Sequence, residues 1–391
     1  MTSLRRSLKK LRALAGEGDF HCYRLLTQGR RAFLFSKYLL TTLAYYRGQG
    51  GCAIEHTIAY VKGSNQLRYY RHSVGKLNSE FGPVQLFVSS CPCFGPQLHL
   101  LPRIPVLEVV EQFYLLTLML VTGRRRYLIL YLLAFASSME KVVEQGLQCV
   151  DVFVCYNDQP YDVAAILYAL NSRNNCRTIV IQHGLVLNEK FAFPAVAEEY
   201  WAWGELSRKH YRAWSSSARL LVKGRYADDA RKKREEFILP VDGEPLRILI
   251  APSHNHEEVK QILTSLNKVL VSMPSRNVCF AIKFHPSTRF IGLLKLWYAR
   301  HTPWLGEESD SMEALSDKYD VLVTKNSTSA VDFLLRGKPV FFLEPRTDEG
   351  FPSQAYGFEL EQLGSLFCSS LPSLDSRNAA RKKFLEFALN V

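Results

Sequence analysis

The chain has 391 residues, of which 47% are apolar and 22% are charged. This composition excludes a disordered or collagen-like chain, and the length predicts two domains of roughly 150 to 200 residues each. A net charge of +12, from 49 Lys and Arg residues against 37 Asp and Glu residues, favours an anionic partner: a phosphate, an acidic glycan, a membrane surface or a nucleic acid.

The N-terminal stretch is basic and carries leucines at helical spacing. Leu4, Leu8 and Leu11 fall at positions i, i+4 and i+7 among lysines and arginines. This pattern is typical either of a helix that lies on an anionic membrane or of a solvated helix that packs on its own domain. Because basic residues recur up to Arg12 without an apolar core region, no secretory signal is expected.

The rest of the first 145 residues contains candidate strands near residues 53–61 and 84–88. Its most apolar stretch, residues 113–136, is interrupted by Gly123 and by the arginines at 124–126. Each piece is well short of the ~18 to 20 residues that a membrane-spanning helix requires. We therefore expect a buried helix and a buried strand here, with the arginine cluster available to contact phosphates or lipid headgroups.

Nine cysteines are scattered along the chain without a C-x-x-C pair. That usage is typical of a reduced, cytoplasmic protein. Cys91 and Cys93 flank a proline, but no second Cys or His pair accompanies them as a zinc site requires. No metal site is therefore expected.

From residue 150 onwards, short apolar runs alternate with segments of helical spacing, which predicts a parallel sheet covered by helices on both faces. The predicted strands are residues 150–156, 177–182, 200–203 and 219–222, and the predicted helices are 161–170 and 205–214. Between residues 227 and 245 the composition becomes charged and loses its apolar periodicity. This change predicts a linker.

A second alternation follows the linker. It predicts strands at 246–251, 278–284, 321–324 and 340–343, helices at 257–271, 290–300 and 329–335, and a last helix at 377–389 with Ser376 as its N-cap. The predicted fold class is therefore α/β, with two doubly wound domains in tandem. The N-terminal domain spans residues 1–226, the C-terminal domain spans 246–375, and a terminal helix lies within 376–391.

In open parallel sheets, ligands bind beyond the carboxyl ends of the strands. Four predicted strands are followed there by polar residues: Gln182, His183 and Gly184; Ser253, His254, Asn255 and His256; His285 and Pro286; and Lys325, Asn326, Ser327, Thr328 and Ser329. The last group lies between a buried strand and a helix, where free N–H groups and hydroxyls can bind a phosphate. Plain N-capping by Ser327 or Thr328 is the alternative.

Two histidines in these groups suggest chemistry. Pro286 holds the backbone at His285 extended, and Lys283 adds positive charge on the same side of the strand, so both could contact that phosphate. His183 has the pKa range of a general base at neutral pH, and Gly184 permits close approach of a ligand. A structural histidine at 285 and simple capping at 183 are the alternatives.

Several patterns are missing from the sequence. His254 and His256 form H-x-H without a third ligand at a telling distance, so we interpret them as part of a ligand-facing loop. There is no G-x-x-x-x-G-K-[ST] loop, dinucleotide fingerprint or D-x-D pair. Kinase, P-loop and metal-dependent transferase functions are therefore disfavoured, and no cofactor is expected.

Five motifs occur in order along the chain: Q-H-G at 182–184, A-W-G-E at 202–205, K-G-R at 223–225, K-F-H-P at 283–286 and N-S-T-S-A-V-D-F-L-L-R-G-K-P-V at 326–340. Their order and spacing resemble bacterial surface-polysaccharide glycosyltransferases of GT-B fold. The most similar group uses cytidine-nucleotide donors: capsule Kdo transferases, polysialyltransferases and teichoic-acid glycerophosphotransferases. The resemblance covers about residues 150–343.

The resemblance implies two doubly wound Rossmann-like domains that face a central cleft, with the donor held by the C-terminal domain and the acceptor by the N-terminal one. It implies that His285 contacts the donor phosphate and that Ser327, Thr328 and Ser329 form a hydroxyl-rich turn around it. The general base would be His183. Because the polysialyltransferases use an acidic base instead, Glu205 and Asp158 are alternative bases.

The predicted function is that of an inverting, metal-independent glycosyltransferase in the cytoplasm. It would move a sugar, favoured as a CMP-linked acidic sugar such as Kdo or sialic acid, to a hydroxyl of a glycan or lipid-linked glycan of a surface polysaccharide. Peripheral contact with the anionic inner face of the cell membrane is a further expectation, and no nucleic-acid partner is expected. The alternatives are a nucleotide-sugar epimerase on a GT-B-like fold and a noncatalytic module that binds anionic lipid or a capsule-export complex.

Overall fold

The protein is described by a computed structural model that divides into two compact units, Met1–Asp228 and Asp229–Val391. The residues described are 35–36, 38–39, 43, 56–62, 64–89, 104–157, 161–173, 175–182, 184, 196–212, 218–225, 236–238, 244–252, 256–271, 278–284, 305–325, 329–344, 355, 357–363 and 374–389. The predicted helix at 290–300 and most of the predicted linker lie outside these ranges and stay predictions.

The N-terminal unit contains a six-stranded sheet in the order β2-β1-β3-β4-β5-β6, and every neighbouring pair is parallel. Its strands are β1 (Thr57–Lys62), β2 (Gln85–Ser89), β3 (Val152–Cys155), β4 (Arg177–Ile181), β5 (Glu199–Ala202) and β6 (Arg219–Val222). The described helices of this unit with defined bounds are α1 (Ser64–Phe81), α2 (Val106–Thr122), α3 (Arg125–Gly146), α4 (Tyr161–Asn171) and α5 (Glu205–Arg212).

Alternate side chains along each strand enter two separate core clusters, because successive side chains point to opposite faces of a sheet. In β1, Ile58 and Tyr60 belong to one cluster, whereas Ala59 and Val61 belong to the other. The first cluster also contains buried residues of α3 and α4, and the second contains buried residues of α1. Helices therefore cover both faces, which agrees with the burial of every residue of β3 and β4 after the first.

The apolar stretch at residues 113–136 forms parts of two helices, so the expected buried helix and strand were wrong in part. Helix α2 ends at Gly123, whose φ of 65° is in the left-handed region, and α3 begins two residues later. In α3, the buried residues Leu128, Leu132 and Phe135 recur at helical spacing. A short, almost wholly apolar window does not distinguish that spacing from a buried strand. Among the described residues, no helix is both long enough and apolar enough to cross a membrane.

The C-terminal unit contains a second six-stranded parallel sheet, in the order β12-β11-β10-β7-β8-β9. Its strands are β7 (Leu246–Ile250), β8 (Val278–Ile282), β9 (Leu305–Glu307), β10 (Val321–Thr324), β11 (Val340–Phe342) and β12 (Phe358–Glu359). Its described helices with defined bounds are α6 (His256–Val271), α7 (Met312–Lys318), α8 (Ser329–Leu335) and α9 (Leu374–Leu389).

Helix α9 begins earlier than predicted. It starts at Leu374, so Ser376 is an exposed residue of the first turn and not the N-cap. Serine occurs both at caps and within first turns, so one serine does not fix where a helix begins.

A buried arginine joins α9 to α8. Arg381 is 1% exposed, donates from Nη1 to the carbonyl of Leu334 at 2.6 Å, and lies 4.9 Å over the ring of Phe237. Burial lowers the pKa of Arg381 to about 10. Its guanidinium therefore stays charged at neutral pH. It donates a hydrogen bond to a carbonyl in the last turn of α8, where the carbonyls have no partner within the helix.

Candidate functional site

The sheet of the C-terminal unit contains a topological switch point. Strand β7 has β8 on one side and β10 on the other, so the chain leaves the carboxyl ends of β7 and β10 toward opposite faces of the sheet. Thr324, the last residue of β10, donates from Oγ1 to the carbonyl of Ala251 at 2.7 Å and ties the two strand ends together. Ligands of open parallel sheets bind in the crevice at such a point.

A lysine stands at this switch point. Lys325 follows β10 directly, and its Nζ lies 2.9 Å from Oε2 of Glu344, which follows β11. The Lys325 side chain is 23% exposed, whereas that of Glu344 is 64% exposed. The positive charge is therefore held at the edge of the sheet by a partner that water can readily replace.

A cavity of about 330 Å³ lies beside this ion pair. It is lined by side chains of α6 and by the two residues after β11, namely Lys260, Gln261, Thr264, Ser265, Leu343 and Glu344. Glu344 belongs to both features, so the cavity and the ion pair share this residue, although Lys325 does not itself line the cavity. The lining offers amide, hydroxyl and charged groups, which can bind a polar ligand.

The other described donor-site predictions lie at the same edge. Lys283 follows β8 and donates from Nζ to the carbonyls of Ser309, at 3.2 Å, and Asp310. These two hydrogen bonds fix the segment after β9. The sequence did not suggest this structural role for Lys283. Ser329 is the first residue of α8 and is half-buried.

The remaining predicted site residues lie outside the described residues. They are His183, Asp158, His285, Pro286, Asn326, Ser327, Thr328, Ser253 and His254. Their roles stay predictions. Within the described ranges, no group of three or more His, Cys, Asp or Glu side chains is placed to hold a metal ion.

In the N-terminal unit, the buried side chain of Gln182 organises the carboxyl end of β4. Its Nε2 donates to Ser207 Oγ at 2.7 Å and to the carbonyl of Gly184 at 2.8 Å, and its Oε1 accepts from the backbone N–H of Trp203 at 2.7 Å. Gln182 is only 1% exposed, and its bonds to Ser207 and Trp203 are buried, whereas its bond to Gly184 is partly buried. Gln182 is therefore tied to Gly184, to Trp203 after β5 and to Ser207 of α5.

The indole of Trp203 extends this network. Its Nε1 donates to the carbonyl of Gln182 at 2.6 Å and to the hydroxyl of Tyr69 at 3.1 Å. The Tyr69 ring meets the ring of Tyr156 edge-on, and the Tyr156 hydroxyl lies 2.9 Å from Ser73 Oγ. Burial raises the pKa of Tyr156 well above its usual value, so its hydroxyl stays protonated.

Two charged groups lie at the same edge of this sheet. Glu205 begins α5, is 44% exposed, and forms a 2.6 Å ion pair with Arg208. Arg225 follows β6, and its guanidinium carbon lies 5.5 Å from the centre of the Trp203 ring. Sequence reasoning did not single out Arg225 or Trp203 as site residues, although both lie in the quoted motifs K-G-R and A-W-G-E.

The comparisons with known proteins support the fold. No protein-family model matches the chain, and no curated protein is similar to it in sequence. The wall teichoic acid polymerase TagF is 14% identical, with 93% of each chain covered and a TM-score of 0.51. A Listeria monocytogenes protein assigned as a UDP-N-acetylglucosamine 2-epimerase is 14% identical, with 86% of this chain and 92% of that chain covered and a TM-score of 0.50.

Likeness at this level of identity concerns the fold alone. Together with the two six-stranded parallel sheets, it shows that the chain has the GT-B fold, which combines two Rossmann-like domains. The predicted fold class is confirmed.

Proposed function

We propose that the chain is an inverting, metal-independent glycosyltransferase that moves a sugar from a nucleotide-activated donor to a hydroxyl of a surface-polysaccharide acceptor. The observation that carries the proposal is the switch point between β7 and β10, with Lys325 at its edge and a cavity beside it. The absence of a D-x-D pair from the sequence supports a mechanism without a divalent ion.

The C-terminal unit is proposed to bind the donor. Lys325 supplies a compact positive charge of the kind that binds phosphates, and an arriving diester or diphosphate would replace the exposed carboxylate of Glu344. The adjoining cavity of about 330 Å³ is at the lower end of the size range of ligand sites and suits the nucleoside part of the donor. His285 and the hydroxyls at 327–329 complete the proposed phosphate site.

The proposed reaction is a single displacement at the anomeric carbon of the donor sugar. The acceptor hydroxyl attacks the anomeric carbon of the donor sugar, and the base takes the hydroxyl proton. The bond between that carbon and the phosphate oxygen breaks, and its electron pair leaves with the nucleotide. Fixed N–H, hydroxyl and ammonium groups around the phosphate stabilise the departing charge without reorganising.

The base is proposed to be His183, with Glu205 and Asp158 as the alternatives. His183 lies between Gln182 and Gly184, and the Gln182 amide is bonded to the Gly184 carbonyl. A base whose neighbours in the chain are fixed loses less orientational freedom when it meets the acceptor hydroxyl.

The favoured donor is a CMP-linked acidic sugar such as Kdo or sialic acid, and the order of the five motifs supports that choice. The net charge of +12 suits an acidic growing glycan and a lipid-linked acceptor on the anionic inner face of the cell membrane. A nucleotide-sugar epimerase has the same fold but needs no acceptor, so donor consumption without acceptor separates the two functions.

Thermal unfolding of the full chain with CMP, CDP, UDP or GDP tests the donor site. We expect the cytidine nucleotides to raise the unfolding midpoint, since a ligand at a hundred times its Kd stabilises by about 2.7 kcal/mol. Stabilisation by another base alone would refute the choice of donor group. If no nucleotide shifts the midpoint, the proposed function is wrong.

A further inference from the structure

Helix α2 has two apolar faces, and only one of them is used by the core. Gln112, Leu116 and Met119 are buried on the first face. The second face exposes six large apolar side chains, Val106, Leu107, Val110, Phe113, Tyr114 and Val121. At about 3.6 residues per turn these six share an arc of roughly 120° that runs along the whole helix, a length of about 25 Å. We call this surface the α2 face.

The α2 face carries no charged side chain within its arc. Thr117 lies inside the arc, but its hydroxyl already donates to the carbonyl of Phe113 at 2.9 Å. Glu108 lies outside the arc and is paired with Lys141, and Glu111 lies at its border. A helix on the surface of a soluble domain normally turns a polar face to water, so an apolar face of this length marks an interaction site.

Arginines lie at the end of the α2 face. Gly123 ends the helix and is followed by three arginines at 124–126, of which Arg124 and Arg126 have described, exposed side chains. The guanidinium of Arg126 lies 4.8 Å over the ring of Tyr127 and donates to its hydroxyl at 2.9 Å. Aromatic rings and cationic side chains that extend from apolar surface are typical of the headgroup level of a bilayer.

We propose that α2 lies in the plane of an anionic bilayer, with the α2 face at the acyl boundary and with Arg124 and Arg126 at the lipid phosphates. An apolar face beside cationic groups is complementary to such a surface, and the net charge of the chain has the same sign. Helix α2 has 17 residues and buries its opposite face in the protein, so it lies on the membrane and does not cross it.

The position of Phe35, near the start of the described residues, is consistent with α2 lying on a membrane. The Phe35 ring packs edge-on against Phe113 at 6.1 Å, so the described part of the chain begins beside the α2 face. The basic sequence with Leu4, Leu8 and Leu11 precedes that point. The inference rests on the membrane contact in the proposed function and names the surface that makes it.

Flotation of the full chain with lipid vesicles tests the inference. We expect binding to vesicles of phosphatidylcholine with phosphatidylglycerol, and at least tenfold weaker binding to vesicles of phosphatidylcholine alone. The double variant Leu107→Glu/Val121→Glu should lower binding more than tenfold, because it places two charges at positions that are 83% and 74% exposed. Arg124→Ala/Arg126→Ala should lower binding to the anionic vesicles by about 30-fold.

The matched control is Ile238→Glu/Phe387→Glu, which changes two exposed apolar residues of the other unit. It should bind vesicles as the parent does. Unfolding midpoints of all variants are measured together, because the altered side chains are exposed and the midpoints should stay unchanged. A variant with a lowered midpoint is replaced by Leu107→Ser/Val121→Ser, which adds no charge.

Three results would overturn the inference. Undiminished binding by both the glutamate and the alanine variants would place the membrane contact elsewhere on the chain. Equal binding to neutral and anionic vesicles would exclude an anionic surface as the partner. A dimer seen by light scattering that the glutamate variant dissociates would make a second copy the occupant of the α2 face. Vesicle binding requires no nucleotide, so a failure here is distinct from a failure of the nucleotide experiment.

Discussion

Gln182 and Ser207 are joined by a 2.7 Å hydrogen bond in the interior of the N-terminal unit. The first residue follows β4 directly and the second lies in α5, so the bond ties the carboxyl end of one strand to the helix that follows the next strand. The Gln182 side chain makes two further bonds, to Trp203 and Gly184. All three fix Gln182, which precedes position 183 in the chain.

Replacement of Gln182 should therefore be costly. We expect Gln182→Met to lower the free energy of unfolding by about 3 kcal/mol, because it leaves buried partners of three hydrogen bonds without a match. Ser207→Ala, which removes one of those bonds, should cost about 1 kcal/mol. Urea unfolding measures both. Equal midpoints for Gln182→Met and the parent would show that the bonds contribute nothing net.

Substitutions of the two members of the exposed ion pair at the switch point, Lys325 and Glu344, should have opposite effects on nucleotide binding. Lys325→Ala should weaken nucleotide binding about tenfold, because a charge-assisted contact to phosphate is lost. Glu344→Gln should strengthen binding, because it removes the carboxylate that competes for Lys325. Arg247→Ala, which breaks an ion pair with Asp320 at the amino ends of β7 and β10, is the control. Isothermal titration with the nucleotide found by thermal shift measures all three, and an unchanged Kd for Lys325→Ala would remove this lysine from the site.

His285→Ala should reduce transfer while the fold stays intact. Loss of one donor that stabilises charge in a transition state typically costs ~10² to 10³ in rate. Turnover of the donor in the presence of acceptor is the measurement, and circular dichroism checks the fold. If turnover is unchanged, His285 has no part in the mechanism.

The three candidate bases can be separated by their pH–rate profiles. If His183 is the base, His183→Ala should lower kcat by ~10² to 10⁴ and abolish the acidic limb of the profile. Glu205→Gln and Asp158→Asn should then stay within a few-fold of the parent. The Glu205 and Arg208 pair is partly exposed, so Glu205→Gln should change stability by no more than about 0.5 kcal/mol. A large loss of kcat in Glu205→Gln would move the role of base to that carboxylate.

A buried carboxylate predicts how stability depends on pH. Burial alone would raise the pKa of Glu199, but hydrogen bonds from Arg177 and Trp201 outweigh it and hold the pKa below its usual value of 4.5. A lowered pKa in the folded state means that the stabilisation is present above pH 4.5 and is lost as the pH falls below it. Glu199→Gln should destabilise the unit by roughly 2 kcal/mol near pH 7. The difference from the parent should shrink as the pH falls below 4.5, because protonation of Glu199 removes the charge that the variant lacks.

Unfolding midpoints of the parent and of Glu199→Gln across this pH range are the measurement. Arg219→Gln is a suitable control, since Arg219 approaches Glu199 only to 4.0 Å and is 72% exposed. A pH-independent difference between the parent and Glu199→Gln would contradict the assignment.

The long elements could be predicted from the sequence because their patterns are local. Continuous apolar runs identify β3 and β4, and helical spacing identifies α4 and α6. Strands β9 and β12 could not be predicted from the sequence, because β9 has only three residues and β12 only two. Each forms by pairing with the edge of a neighbouring strand, β9 with β8 and β12 with β11, and that pairing leaves no local pattern in the sequence. Gly306 in the middle of β9 further hides that strand from any pattern of side chains.

The same distinction applies to the candidate site. The positions of Lys283, Lys325 and Ser329 at or after the ends of predicted parallel strands were enough to predict that they lie at one edge of a sheet. The order of the strands was not needed for that prediction. The sequence could not show that Lys325 pairs with Glu344, because that contact depends on β10 and β11 being neighbours. The hold of Lys283 on the carbonyls of Ser309 and Asp310 likewise depends on β9 lying beside β8.

The contact between α9 and α8 affects the order in which the C-terminal unit can be completed on the ribosome. All six strands of its sheet are synthesised before α9, yet Arg381 of α9 supplies the partner of the Leu334 carbonyl, and Phe384 and Leu385 of α9 are buried. Until α9 emerges, the end of α8 has neither that donor nor that apolar cover. Native packing of this unit therefore requires α9, which is synthesised after all six strands of the sheet.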